Sequence, residues 1–298
     1  RNTGIAGILL LATLAGCATA KKEGTIRSHL PTPSSIDATV RSMPPRGGWD
    51  VVVGKRTGGA IVEVTKSRKV TAKAAVALGI ALAFNAGFVN GCCLSGLAAA
   101  DKTKQAVSAV TASYTNGALG LAAGNTAQFV FLTKVILSFL AGSMISGLLN
   151  PSPVPFEVAS GPFAWSFGIG AILLCIAGGR LNHSAKTVES GMLLAAVANG
   201  IQNSITSTFT QNLCRSSHFT GITSDIGTFL GQVLRGNNAN LFKLKVFVGL
   251  AVSFWLGGYV SWDVTKTYGS MGLYFSAALY VLIGSLYGRF ADKYGKED

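Results

Sequence analysis

One carboxylate stands apart in this 298-residue chain: Asp225 is the sole acid inside a charge-poor run long enough to cross a bilayer. Burying it costs at least about 2.5 kcal/mol on insertion scales unless water or a partner receives it, so proton or cation coupling is its natural chemistry. His218 lies seven residues earlier, two helical turns along the same face. It offers either a shared proton path or a solvated imidazole near a helix end. The apolar stretches also carry Asn85, Asn90, Asn125, Gln128, Asn199, Gln202 and Asn203, with Thr126, Thr220 and Thr223. Amides donate and accept, which suits a neutral or zwitterionic solute, or an anion where helix N-termini also point inward. The competing use of such amides is to join helices, at about 0.6 kcal/mol per bond.

Other chemistries lack their residues. The cysteines Cys17, Cys92, Cys93, Cys175 and Cys214 form no CxxC pair, and the three histidines His29, His183 and His218 make no zinc spacing. Cys92-Cys93 reads as small residues in a helix interface. There is no GxSxG, HExxH, P-loop or Rossmann fingerprint, so neither an enzyme nor a metal or cofactor site is expected.

The elements that would hold these side chains follow from the charge map. Hydrophobic residues make up 49% of the chain and charged residues only 12%, about half the charge of an ordinary soluble domain. Charge-free runs cover residues 74–100, 105–133, 135–156, 158–179, 190–214, 246–262 and 267–288, and 216–234 is broken only by Asp225. Each can cross once, since a spanning helix needs about 20 mostly apolar residues. The expectation is an all-α polytopic protein with eight transmembrane segments. Placing the basic tail inside also puts Lys134, Arg180, Lys186, Arg235, Lys243 and Lys245 inside, with both termini on the cytoplasmic or stromal side. A competing count makes the more polar second and sixth segments re-entrant. It leaves six crossings in two inverted halves, with Arg180 and Lys186 opposite the tail.

The halves 74–181 and 182–290 repeat each other. Gly87-Phe88-Val89-Asn90 matches Gly200-Ile201-Gln202-Asn203, and Ser138-Phe139 through Gly142 matches Ser253-Phe254 through Gly257. Gly179-Arg180 matches Gly288-Arg289, and Gly124-Asn125-Thr126-Ala127-Gln128 matches Gly221-Ile222-Thr223-Ser224-Asp225, with Gly124 as far from Gly87 as Gly221 is from Gly200 once an insertion over 101–116 is removed. Four segments per half predict parallel halves with a shared midplane site, as in repeat-built carriers. The GxxxG pairs Gly120/Gly124 and Gly227/Gly231 predict close helix contacts.

The GxxN and TGxxTD-like elements, carried by Gly87 to Asn90, Gly124-Asn125-Thr126, Gly200 to Asn203 and Thr220 to Asp225, resemble the YoaK family of uncharacterised membrane proteins. The resemblance implies a multi-pass protein of permease type. Asn90 stands where that pattern has an acid, and Ala123 where it has Thr.

Residues 1–20 read as a signal-like apolar segment, 21–73 as a basic transit-like or flexible tail with a hairpin over 49–64, and 291–298 as a short polar end. A plastid membrane is one expected location. The leading expectation is a secondary transporter in which Asn90, Asn203, Asn125, Thr126, Thr220, Thr223, Gln128 and Gln202 line the solute path and Asp225 and His218 the ion path. A non-transporting scaffold or assembly factor is the alternative. Expected partners are the bilayer, a small solute and a proton or cation, in an oligomer or larger membrane complex, without nucleic acid.

Overall fold

The computed structural model describes residues 67–69, 72–151, 153 and 156–294. The signal-like segment, most of the basic tail, the hairpin over 49–64 and residues 295–298 lie outside the described residues. Eight helices account for nearly all of the rest: α1 Ala72–Leu94, α2 Thr111–Ala122, α3 Thr126–Leu149, α4 Ser160–His183, α5 Ala185–Phe209, α6 Phe219–Leu234, α7 Leu241–Tyr268 and α8 Gly272–Tyr294. A short antiparallel pair, β1 Ser67–Lys69 with β2 Glu157–Ala159, ties the end of the tail to the start of α4.

The helices form where charge is absent and stop where backbone chemistry demands it. Gly124 and Gly236 take positive φ just beyond α2 and α6, a conformation that ends a helix at little cost only for glycine. Asn125 then caps α3, its Oδ1 accepting the Gln128 amide at 3.1 Å. Stretches Lys73–Leu94, Thr126–Leu149, Pro162–His183 and Leu241–Ser285 are apolar and long enough to cross a membrane, the last comprising α7 and most of α8. Their outer surfaces carry Leu137, Leu140, Met144, Leu148, Trp165, Ile172 and Trp255, all exposed. So much bare apolar surface suits lipid rather than water. The chain is an integral membrane protein.

Contacts fix the helix directions. Ile80 meets Gly249, Gly87 meets Phe254, and Cys92 meets Thr265, so α1 and α7 run the same way. Lys134 pairs with Glu189 and Gly142 meets Val197, so α3 and α5 also run together. α4 runs against α5, with Leu181 on Gly191 and Phe163 on Phe209, and against α8, with Gly178 on Tyr274 and Phe167 on Gly284. α8 opposes α1, Gly272 lying by Cys92 and Ser276 by Asn85. Hence α1, α4 and α7 point one way and α3, α5 and α8 the other.

These directions do not bear out the expected eight crossings with parallel halves. α2 has 12 residues, about 18 Å, and α6 has 16, about 24 Å, both short of a hydrocarbon core about 30 Å thick. Each returns to the end of the bundle from which its connection set out. Lys134, Arg180 and Lys186 therefore sit at the end opposite Lys73, not beside it. The positional match of Gly124 to Gly221 also fails, since Gly124 ends α2 whereas Gly221 lies in the first turn of α6. Gly236 is the residue that stands where Gly124 does.

Candidate functional site

The tightest polar assembly lies at mid-length of α1, where α5 and α8 meet it. Asn85 Nδ2 donates to Gln202 Oε1 at 3.0 Å, Ser276 Oγ donates to Asn85 Oδ1 at 2.6 Å, and Tyr280 OH donates to Gln202 Oε1 at 2.8 Å. Gln202 Nε2 completes the knot on the Leu82 carbonyl at 2.8 Å. All four side chains are buried, inside an apolar surround that includes Phe167 and Leu174. Such a satisfied network fixes three helices against one another, because unpairing any member leaves a polar group stranded in a dry interior. Nearby, Asn199 donates to Ala195 O at 2.9 Å, but its Oδ1 has no partner among the described residues.

Two connections that turn back along the bundle flank the knot. After α1, Gln105 N donates to Cys93 O at 3.3 Å, and the amides of Val107 and Ser108 donate to Asn90 Oδ1 at 3.0 and 3.2 Å. The chain thus turns back along α1 before α2 climbs beside α3, with Gly117 on Leu132 and Gly120 on Gln128. After α5, Cys214 is buried against Gly79 and Leu250. α6 then retreats along α7, packing Phe219 against Phe254 in a tilted pair and stacking Phe229 on Phe247. Both half-length helices start among the other helices, and neither N-cap residue, Val110 or His218, makes a side-chain cap bond. Their first-turn amides are left to other acceptors. Ser108 and Ser216, each three residues ahead of the helix start, are 1% exposed and their hydroxyls have no partner among the described residues.

Two further crossings give this arrangement its shape. A methyl added at Gly87 would overlap the Phe254 carbonyl, and one at Gly257 the Phe84 carbonyl. A methyl at Gly200 would overlap the Phe139 carbonyl, and one at Gly142 the Val197 carbonyl. A family of proteins of unknown function matches residues 78–286, a span that holds the knot, both connections and both crossings. The chain belongs to the DUF1275 family. No curated protein and no solved structure matches it.

Of the residues expected to line a path in this DUF1275 member, Gln202 alone is part of the knot. Asn90 is buried but holds the first connection, and Asn203 is half-buried, its Oδ1 enclosed and without a partner among the described residues. Asn125, Thr126 and Gln128 form the exposed cap of α3 at one end of the bundle, away from the middle. Thr223 spends its hydroxyl on the Phe219 carbonyl at 2.8 Å, and Thr220 is exposed. Asp225 and His218 are also exposed, on an amphipathic α6 whose Ile222, Ile226 and Phe229 face the core. The GxxxG glycines Gly227 and Gly231 border open space. Sequence reasoning passed over Ser276 and Tyr280, whose i, i+4 spacing in a charge-free run was the available signal. It also passed over Ser108 and Ser216, which nothing in the sequence sets apart.

Proposed function

We propose that this protein is a secondary carrier built from two inverted halves, α1–α4 and α5–α8, with six crossings and two re-entrant half-helices. The observation that carries the reading is the pair of short helices starting inside the bundle from opposite ends. Irregular backbone at membrane depth is tolerated where it lines a cavity or packs in protein, and half-helix N-termini are the usual cradle of solutes in such folds. The matched glycine crossings support the pairing of halves, since Gly87 and Gly200 meet Phe254 and Phe139 at the positions the repeat aligns. The solute class that suits the site is a small anion or zwitterion, held by first-turn amides and the hydroxyls of Ser108 or Ser216. Asp225 supplies the coupling group. An exposed carboxylate at this depth needs water, so α6 borders a wetted crevice in this reading. The resemblance to YoaK-like permeases is consistent with it.

A second reading, a scaffold without transport, draws on the closed knot of Asn85, Gln202, Ser276 and Tyr280, which fills the space between α1 and α5. The two readings part in proteoliposomes. Phosphate, amino acids and small carboxylates are screened by thermal shift, and the stabilising solute is then tested in counterflow. Carriage predicts flux that Ser216→Val and Asp225→Asn abolish without unfolding the protein. Stabilisation by no solute and no counterflow in intact protein favours the scaffold. Topology has its own test: Ser184→Cys must label from the face opposite Lys69→Cys if there are six crossings, and from the same face if there are eight.

A further inference from the structure

A groove of about 480 Å³ runs between α1 and α7 on the outer surface of the bundle. Its floor is glycine, Gly87, Gly91 and Gly258, and its wall on α7 is the stripe Trp255, Tyr259 and Trp262. Trp255 and Tyr259 are stacked with ring centres 6.1 Å apart. Near the end of α1 the groove turns polar at Asn90 and Ser95. Asn90 is 9% exposed, and its Oδ1 is fully used by two backbone amides, whereas its Nδ2 has no partner among the described residues. That leaves a carbonyl-seeking donor at the polar end of an apolar channel.

Charge continues the gradient. Lys266 stands one turn beyond Trp262 on the same face of α7, and the Lys104 side chain lies against Gly96, next to Ser95. We propose that the groove holds one anionic phospholipid of the leaflet at this end. An acyl chain lies along the glycine floor toward Trp255, an ester carbonyl accepts from Asn90 Nδ2, and the phosphate meets Lys104 and Lys266. The order of apolar floor, amide and paired ammonium groups follows the order of chemical groups along a lipid. The volume is suited to a chain and glycerol backbone and falls within the range of ordinary ligand sites. The proposal rests on the bilayer placement and is independent of whether the protein carries a solute.

The test uses the full chain with Trp49→Phe and Trp165→Phe, so that only Trp255 and Trp262 fluoresce, reconstituted with brominated phosphatidylglycerol or brominated phosphatidylcholine. Half-quenching is expected at about thirtyfold less of the anionic lipid, the factor set by roughly one kcal/mol for each of the two basic residues. Lys104→Gln with Lys266→Gln, both exposed, abolishes that preference. Gly258→Leu, at a glycine with room for a side chain, removes the tight phase for both lipids. Equal quenching by the two lipids in the parent protein marks a bulk lipid shell and overturns the proposal. Quenching unaltered by Gly258→Leu overturns it as well.

Discussion

The two crossings, α1 on α7 and α3 on α5, share one clasp and differ in what surrounds it. In both, a glycine from each helix lies against the partner's backbone, and residues 113 positions apart on α1 and α5 meet residues 115 positions apart on α7 and α3. The polar residue three places on is asparagine in both, yet the Asn90 Oδ1 is satisfied and the Asn203 Oδ1 has no partner among the described residues. The reason is the connection that follows. Residues 95–110 are long enough to double back and set two amides on Asn90, whereas residues 210–218 turn sharply through Gln211 and Asn212, both at positive φ, and bring no donor to Asn203. The backbone contact is fixed by geometry, and the role of the asparagine beside it is set by loop length.

The largest effect is expected at the clasp itself. Gly87→Ala and Gly200→Ala each press a methyl into a carbonyl that cannot yield, and each should cost about 3 kcal/mol, read as a lowered melting temperature in detergent. A silent result at one glycine and a large one at the other would end the equivalence of the crossings. Gly227→Ala, facing open space, is the control and should be neutral. Next comes Gln202, whose matched position on α1 is the apolar Val89. Gln202→Leu strands Asn85 Nδ2 and leaves the Tyr280 hydroxyl only the Ala198 carbonyl at 3.4 Å, and should lower stability by about 2 kcal/mol. A smaller contrast separates the two asparagines. Asn90→Ala leaves two buried amides unpaired, for a loss of about 1.5 kcal/mol, while Asn203→Ala removes an already orphaned oxygen and should change stability by less than about 0.5 kcal/mol. Equal losses would mean that Asn203 has a partner the geometry does not reveal. Smallest of all, Asp225→Asn on an exposed face should leave the melting temperature within about one degree, which makes any loss of flux a statement about function.

The charge map made eight helices legible, because each charge-free run contains one. Its count of crossings parts from the helix directions for a reason visible at residues 105–133. That single run holds a returning extended segment, all of α2, a glycine turn and the start of α3, so Lys134 falls inside a helix rather than at its end. Apolar length cannot distinguish one crossing from a descent and a return. Gln202, Asn85 and Asn199 were legible as amides in apolar surroundings, where few residues need them. Ser276 and Tyr280 were not, since hydroxyls are common in such helices and their value here comes from the partner across the interface. Asp225 drew notice by its rarity, but its setting on an amphipathic α6 follows from tertiary packing alone.

The crossed partnership of the helices has a consequence for synthesis. Gly87 leaves the ribosome 167 residues ahead of the carbonyl it must rest against at Phe254, a delay of about 8 to 33 s at 5–20 residues per second. Throughout that interval α1 stands in the membrane with a bare glycine seam and with Asn85 lacking Ser276, and until α5 is made it lacks Gln202 as well. Neither half is a folding unit, and the chain commits to its native packing only when α7 and α8 arrive. A nascent chain arrested before α7 should therefore be held by the insertion machinery or degraded, and supplying the second half as a separate polypeptide should rescue the first.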